Sequence, residues 1–530
     1  MNADWKKEIV YQIYPRSFCD SNGDGLGDLR GIISKLDYLS SLGVTALWLS
    51  PVFKSPMEDN GYDISDYRHV DPIFGTDEDM DVLIDEAEKR GLKIILDLVV
   101  NHTSSEHRWF QEALKSRDNP YHDYYIWREK PNSLESVFRG SAWQYVPSLR
   151  QYYLHLFAPG QPDLNWSNPN LRIEVYSLMN YWLDKGVAGF RMDVIEYIGK
   201  DPDRLIVANG PHLHDYLQEM NRLVLAPHQA MTVGECWAAD NETRLLYTDP
   251  KRHELSMVFQ FDQWTRFWDP KYGKWGRRDF VMKEYRDAIF AQQMSDPSRS
   301  WPALFWDNHD LPRALSYCCS HFFRDRAAKM LFGLSVFLRG TPFIYQGDEL
   351  GMEDAGFISV GQLKDIESKN AYLDLQKQGM PVEEARRCVL KVGRDNARIP
   401  MQWAEGAGHG FSAAPAWIHS PKEDSGHSAE VEDRDPESVL SFYKRCLSLR
   451  RGKNRNVFLF GAFEPLFSES ESLWMYRRIF AGKSFVILGN FSIKEIKNPL
   501  FVLEPILSNV PLQTQSLPPF YFGIFPSASL

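Results

Sequence analysis

Lys93-Ile94-Ile95-Leu96-Asp97-Leu98-Val99 is a short apolar run with one carboxylate set near its end, and the polar residues Asn101 and His102 follow at once. Such a run reads as a strand. Seven comparable runs lie at residues 9–14, 44–49, 188–192, 231–234, 256–259, 303–305 and 343–345, making eight. Amphipathic stretches separate them. The clearest, 170–185, sets Leu171, Val175, Leu178, Met179 and Trp182 on one helical face. Others fall at 28–42, 77–90, 278–292, 322–338 and 436–451. Eight strands alternating with helices predict an α/β fold, a parallel (β/α)8 TIM barrel. The strand count and the lack of a GxGxxG turn disfavour an open doubly wound sheet.

Two connections are too long for simple loops. The barrel is therefore expected over 1–103 and 168–454, with an aromatic-rich inserted domain at 104–167 and an inserted subdomain at about 350–433. After residue 454 the pattern changes to short alternating segments such as 473–479 and 484–491. That predicts a C-terminal antiparallel β-domain over 455–530.

Composition narrows the function classes. Of 530 residues, 43% are hydrophobic and 25% charged, an ordinary globular balance. The net charge of −11 argues against nucleic acid and anionic membranes as partners. No apolar run is long enough to span a bilayer, and Met1-Asn2-Ala3-Asp4-Trp5 lacks the pattern of a secretory leader. The six cysteines, Cys19, Cys236, Cys318, Cys319, Cys388 and Cys446, are scattered without a CxxC pair. Free thiols in a cytoplasmic protein, taken to be a monomer, are the expectation.

In a barrel of this class the active site lies at the carboxyl ends of the strands. Asp97 ends the third strand, Asp193 the fourth and Glu235 the fifth, and Asp310 follows the seventh. His102, Arg191 and His309 accompany them. One acidic residue at a strand end is unremarkable; four at one barrel mouth are not. Glycoside cleavage needs two carboxyls, one to attack the anomeric carbon and one to protonate the departing oxygen. Arg191, two residues before Asp193, would point to the same side and keep a nucleophile ionised. The acid must keep its proton, so Glu235 should stand in a drier place. GxSxG and HExxH are both absent, which disfavours a serine hydrolase and a zinc protease.

The motifs Asp97-Leu98-Val99-Val100-Asn101-His102, Gly189-Phe190-Arg191-Met192-Asp193, Val233-Gly234-Glu235 and Asp307-Asn308-His309-Asp310 resemble those of family 13 glycoside hydrolases, the α-amylase superfamily. The resemblance covers nearly the whole chain. Gln161-Pro162-Asp163-Leu164-Asn165-Trp166 is similar to a fifth motif of the oligo-1,6-glucosidase group, and 141–145 and 194–200 resemble dextran glucosidase. The resemblance implies Asp193 as nucleophile, Glu235 as general acid/base and Asp310 as the residue holding the 2- and 3-hydroxyls. It implies His102 and His309 as hydroxyl ligands, Arg191 as the residue orienting the nucleophile, and Tyr62 stacked beneath the terminal ring. Asp63 and Arg398 are expected to clamp the 4-hydroxyl of that ring. Val194 after the nucleophile implies α-1,6 preference, or else simple barrel packing. Trp237 and Lys274 are expected at the next sugar.

The expected activity is therefore that of a retaining, exo-acting α-glucosidase on α-1,6 bonds of an oligosaccharide. The alternatives are α-1,4 hydrolysis, glucosyl transfer or sucrose isomerisation, trehalose-6-phosphate hydrolysis, and a catalytically dead sugar-binding protein on the same barrel. Asp20-Ser21-Asn22-Gly23-Asp24-Gly25-Leu26-Gly27-Asp28 resembles a calcium loop but lacks the twelfth-position Glu of an EF-hand. The resemblance implies structural Ca²⁺ held by Asp20, Asn22, Asp24, Asp28 and the Leu26 carbonyl. The competing reading is a Gly/Asp-rich turn that caps the next helix.

Overall fold

Eight parallel strands form the central sheet of the computed structural model, which describes residues 3–419, 426–500, 503–512 and 515–527. They are β1 Val10–Ile13, β2 Ala46–Leu49, β3 Lys93–Leu98, β4 Gly189–Met192, β5 Met231–Cys236, β6 Met257–Gln260, β7 Ala303–Leu304 and β8 Thr341–Tyr345. Met1 and Asn2, part of the stretch read for a leader, lie outside the described residues.

The sheet order is β6-β5-β4-β3-β2-β1-β8-β7, and β6 and β7 come together across the remaining seam. This is the expected barrel. Nearly every strand residue is buried, as a sheet ringed by helices requires. The parallel register sets Asp97 opposite Arg191 and Val233 opposite Arg191, so Asp97 and Arg191 share one level and Glu235 lies two residues beyond it on β5. Beneath them, Phe259 stands 5.6 Å from Trp48 and 4.7 Å from Phe343. These rings give the charged layer an apolar floor.

The stretch read as one helix at 28–42 is two, Leu29–Ser34 and Leu36–Leu42. Ser34 Oγ donates back to the Gly31 carbonyl at 2.7 Å, a local bond that competes with the helical ladder. Between β3 and β4 a three-stranded antiparallel sheet, Trp127–Arg128, Trp143–Val146 and Gln151–Leu154, overhangs the barrel. Phe138, Trp143, Leu154, Leu156 and Phe157 pack beneath it, together with Val194 from the turn after β4. After β8 come the helices Ile366–Lys377 and Val382–Val392. A five-stranded antiparallel sheet of strands between Ala462 and Pro526 ends the chain's described part.

Candidate active site

Arg191 is the hub of the layer above the apolar floor. Its Nη1 donates to Asp97 Oδ1 and to Asp193 Oδ1, both at 2.8 Å, and its Nη2 donates to Glu235 Oε2. Trp48 Nε1 and the Tyr62 hydroxyl hold the other Asp97 oxygen at 3.1 and 2.9 Å. Three carboxyls thus share one guanidinium, and all four groups are buried. Burial pushes Asp193 well above the usual carboxylate range. Arg191 opposes the shift, while Glu235 and Asp97 add to it. Asp97 is pushed up to about 6 by burial, again against Arg191. The guanidinium contact expected from the sequence is present, but burial and like charge outweigh it.

The turn that presents Asp193 is strained. Val194 has φ 35° and ψ 42°, a left-handed conformation rare for a β-branched residue. Its N–H donates to Glu235 Oε2 at 3.1 Å. Trp237 Nε1 donates to Glu235 Oε1 at 2.7 Å, and the indole stacks on Phe261 with centroids 3.8 Å apart.

A second charged cluster lies beside the first, with the opposite balance. Asp310 Oδ1 accepts from Arg398 Nη2 at 2.8 Å and Arg394 Nη1 at 3.2 Å, and Oδ2 lies 3.1 Å from His309 Nε2. Burial alone would raise Asp310, but His309, Arg394 and Arg398 carry it far below the carboxylate range. Asp365 is lowered likewise, Arg394 and Arg398 outweighing burial. Gln12 Nε2 lies 2.7 Å from His309 Nδ1. If the amide donates there, the His309 proton sits on Nε2, facing Asp310 and the Tyr62 hydroxyl. Burial lowers His309 well below its ordinary value, and His102 to about 4. The His102 ring is therefore neutral at neutral pH.

The two clusters border one cavity of about 390 Å³. Asp193, Glu235, Asp310, Tyr62, His102, Val194, Trp237 and Lys274 line it, as the sequence predicts. Arg191 and His309 lie beneath the wall and act on the cavity through the groups they hold. Two expectations fail. Asp63 is fully buried and turned away: its oxygens accept from Ser55 Oγ at 2.8 Å and from the backbone N–H groups of Glu58 and Asp59 at 2.9 and 3.2 Å. Arg398 is also fully buried, its Nε donating to the His309 carbonyl at 2.9 Å. The carboxylate and guanidinium on the wall are instead Asp59 and Arg394, paired at 2.9 Å. Asp59 is raised to about 6 because burial exceeds the pull of Arg394 and Arg398.

Glu367 was also missed. It meets Lys274 Nζ at 2.6 Å on the cavity wall. It sits at the start of helix Ile366–Lys377, and nothing in its local sequence distinguishes it from a surface glutamate. Phe138, Phe157, Tyr197, Trp268 and Trp275 complete the apolar part of the lining.

The Asp20–Asp28 loop folds as the capping reading predicts. Asp28 Oδ1 accepts from Gly31 N at 2.6 Å and so caps helix Leu29–Ser34. Asp20 accepts three backbone N–H groups of its own loop and the Ser412 hydroxyl. Asn22 and Asp24 each accept one, from Asp24 and Leu26. Among the described residues, no three His, Cys, Asp or Glu side chains gather as a metal-ligand group. Asn22 Oδ1, Asp24 Oδ1 and Asp28 Oδ1 each accept one of these bonds and keep a second lone pair, whereas each Asp20 oxygen already accepts two and would have to give one up to a cation.

A parallel barrel with paired carboxyls at its strand ends and a cavity of sugar-ring dimensions defines a glycoside hydrolase. The chain belongs to the alpha-amylase family: the model of the alpha-amylase catalytic domain matches residues 12–458. It is 46% identical to the glucan 1,6-alpha-glucosidase of Streptococcus pneumoniae serotype 4 over 494 residues, covering 93% of this chain and 92% of that protein. It is 44% identical over 521 residues to the oligo-1,6-glucosidase of Parageobacillus thermoglucosidasius, covering 94% and 92%. Among solved structures, the isomaltulose synthase of Klebsiella sp. LX3 superposes with a TM-score of 0.94 at 36% identity, covering 99% of each chain.

Proposed function

We propose that this protein is a retaining, exo-acting α-glucosidase that hydrolyses α-1,6 bonds at the non-reducing ends of isomalto-oligosaccharides or dextran. The observation that carries the chemistry is the Arg191 hub, which holds two carboxyls on one side of one cavity. A single guanidinium spanning both suits the roughly 5–5.5 Å separation of a retaining pair better than the roughly 6.5–9.5 Å of an inverting one.

Arg191 occupies Asp193 Oδ1, so Oδ2 is the oxygen that attacks the anomeric carbon. Glu235 gives its proton to the departing oxygen, leaving a glucosyl ester on Asp193. Water then attacks the same carbon, Glu235 takes its proton, and Asp193 leaves with the α-configuration restored. Asp310, fixed as an anion, accepts hydrogen bonds from hydroxyls of the bound ring. Asp59 and Arg394 close the end of the cavity and hold the terminal hydroxyl. Trp237, Lys274 and Glu367 receive the next sugar. The names of the relatives support the α-1,6 linkage, and Val194 beside the nucleophile agrees with it.

The Asp20–Asp28 loop would hold structural calcium through Asp20, Asn22, Asp24, Asp28 and the Leu26 carbonyl, the hard oxygen donors such an ion prefers. Six free cysteines support a reducing, cytoplasmic setting. No helix among the described residues is long and apolar enough to cross a membrane.

The test is product analysis with isomaltose, isomaltotriose, dextran, maltose, sucrose and trehalose-6-phosphate. Glucose release from α-1,6 substrates should lead by about tenfold or more, a barrier difference of about 1.4 kcal/mol. If maltose or trehalose-6-phosphate leads, or sucrose yields a new disaccharide, the linkage or the reaction assigned here is wrong.

A further inference from the structure

We propose that Glu196 is a positioning residue that locks the turn carrying Glu235 to the turn carrying Asp193; this rests on the catalytic roles given above. Glu196 stands three residues after Asp193, in the short turn Ile195–Tyr197. Its neighbours Val194 and Tyr197 line the cavity, whereas Glu196 is fully buried behind them. Its carboxyl, pushed up to about 8 by burial against the pull of the Ala238 and Trp237 amides, turns toward the chain that follows Glu235. Oε1 accepts from Trp237 N at 3.0 Å and Ala238 N at 3.3 Å, and Oε2 accepts from Ala238 N at 3.1 Å.

The link is reciprocal. Glu196 in the nucleophile's turn takes backbone N–H groups from the acid's turn, while Val194 N in the nucleophile's turn donates to the acid's own carboxyl at 3.1 Å. Trp237 joins both halves, because its backbone is held by Glu196 and its indole donates to Glu235 Oε1 at 2.7 Å. A third tie, Asn209 N to the Glu196 carbonyl at 3.0 Å, anchors the turn from behind.

The choice of residue argues for function over filling. A buried carboxyl without a cationic partner is costly, and backbone N–H groups recover only part of that cost. An apolar side chain would fill the space more cheaply but would leave the amides of Trp237 and Ala238 unpaired. What the carboxylate adds is a fixed direction for the Glu235 turn relative to Asp193. Small errors in such directions lower rates strongly while leaving binding nearly intact.

The experiment compares kcat/KM for isomaltose, whose leaving sugar needs a proton, with 4-nitrophenyl α-glucoside, whose phenolate leaves with little help. Glu196→Ala should lower kcat/KM about 100-fold on isomaltose, the lower range of what a positioned acid contributes, and less than about tenfold on the aryl glucoside. Glu196→Gln keeps one acceptor oxygen and should fall between parent and Ala; it carries the test if the Ala variant does not fold. Equal losses on both substrates, or isomaltose turnover within about threefold of the parent, would overturn the positioning role. Glu235→Gln is the control. If it spares isomaltose, the acid/base assignment falls and this proposal with it; if it shows the selective loss and the Glu196 variants do not, only the proposal falls.

Discussion

Two charged clusters stand side by side at the barrel mouth and treat their carboxyls in opposite ways. Around Arg191, one guanidinium serves Asp97, Asp193 and Glu235, and burial raises both Asp97 and Asp193. Around Arg394 and Arg398, two guanidiniums serve Asp310 and Asp365, and both carboxyls are lowered. Depth does not decide the sign, since Asp310 and Asp193 line the same cavity: the two lowered carboxyls each lie against both guanidiniums, whereas Asp59, paired with Arg394 alone, is raised to about 6. In the first cluster, Asp97 and Asp193 take up a proton more readily than free carboxyls do. The second is fixed charge, suited to holding hydroxyls and not to trading protons. One site thereby separates the chemistry from the grip.

The strongest way to break that comparison is to neutralise one carboxyl in each cluster. Asp193→Asn should reduce turnover by on the order of 10⁴-fold or more while leaving the fold intact. Its stability should move the other way. A carboxyl raised in the folded state favours folding when protonated, so its contribution is present below its unfolded pKa and lost as pH rises through the folded value. Asp193→Asn should therefore melt about 2–4 °C above the parent at pH 7.5, with the gap closing toward pH 4. Asp310 is lowered, so its contribution is present above the unfolded pKa and lost as pH falls. Asp310→Asn should melt below the parent throughout pH 4–8, because the deficit shrinks only below the unfolded value of about 3.9. Thermal melts across pH 4–8 check both; shifts of the same sign in the two variants would contradict the contrast.

A smaller effect sharpens the boundary of the gripping cluster. Asp59→Ala should lower kcat/KM for isomaltose about 100-fold, about 2.7 kcal/mol, through a lost charged hydrogen bond. Asp63→Asn should change it less than about threefold and, since burial holds Asp63 above the usual carboxylate range against its three donors, should not lower the melting temperature at pH 7.5. Steady-state kinetics with melts separate the pair. The smallest expected effect lies outside both clusters. If the Asp20–Asp28 loop holds calcium as proposed, a chelator should lower the melting temperature by a few degrees and leave the rate at 25 °C unchanged. A loss of rate at constant stability would move the ion into the chemistry.

The barrel was legible because parallel strands buried on both faces must read as apolar runs, and eight of them alternate with amphipathic helices. Asp193, Glu235 and Asp310, which line the cavity, were legible because each follows such a run. The Asp59 and Asp63 pair was not. The two carboxylates are four positions apart, and which one faces the cavity depends on the turn between them. Asn60 and Gly61 both take positive φ, 52° and 103°, and Asp63 folds back to bind the N–H groups before that turn. The same holds for Arg394 and Arg398, four apart around the short helix Arg394–Asn396. Lys274 was anticipated, but its partner Glu367 lies 93 positions away, and only the packing of the segment after β8 brings it to the wall.

The wall made by Asp59 and Arg394 has a consequence for how the enzyme would meet a polymer. A cavity shut at one end counts molecules, not bonds. Each dextran chain offers such a site as many handles as it has non-reducing tips, however long it is. A solution of long linear chains would then keep its viscosity through the early reaction, while sugar accumulates as single rings. At equal mass, a highly branched polymer would be consumed faster than a linear one.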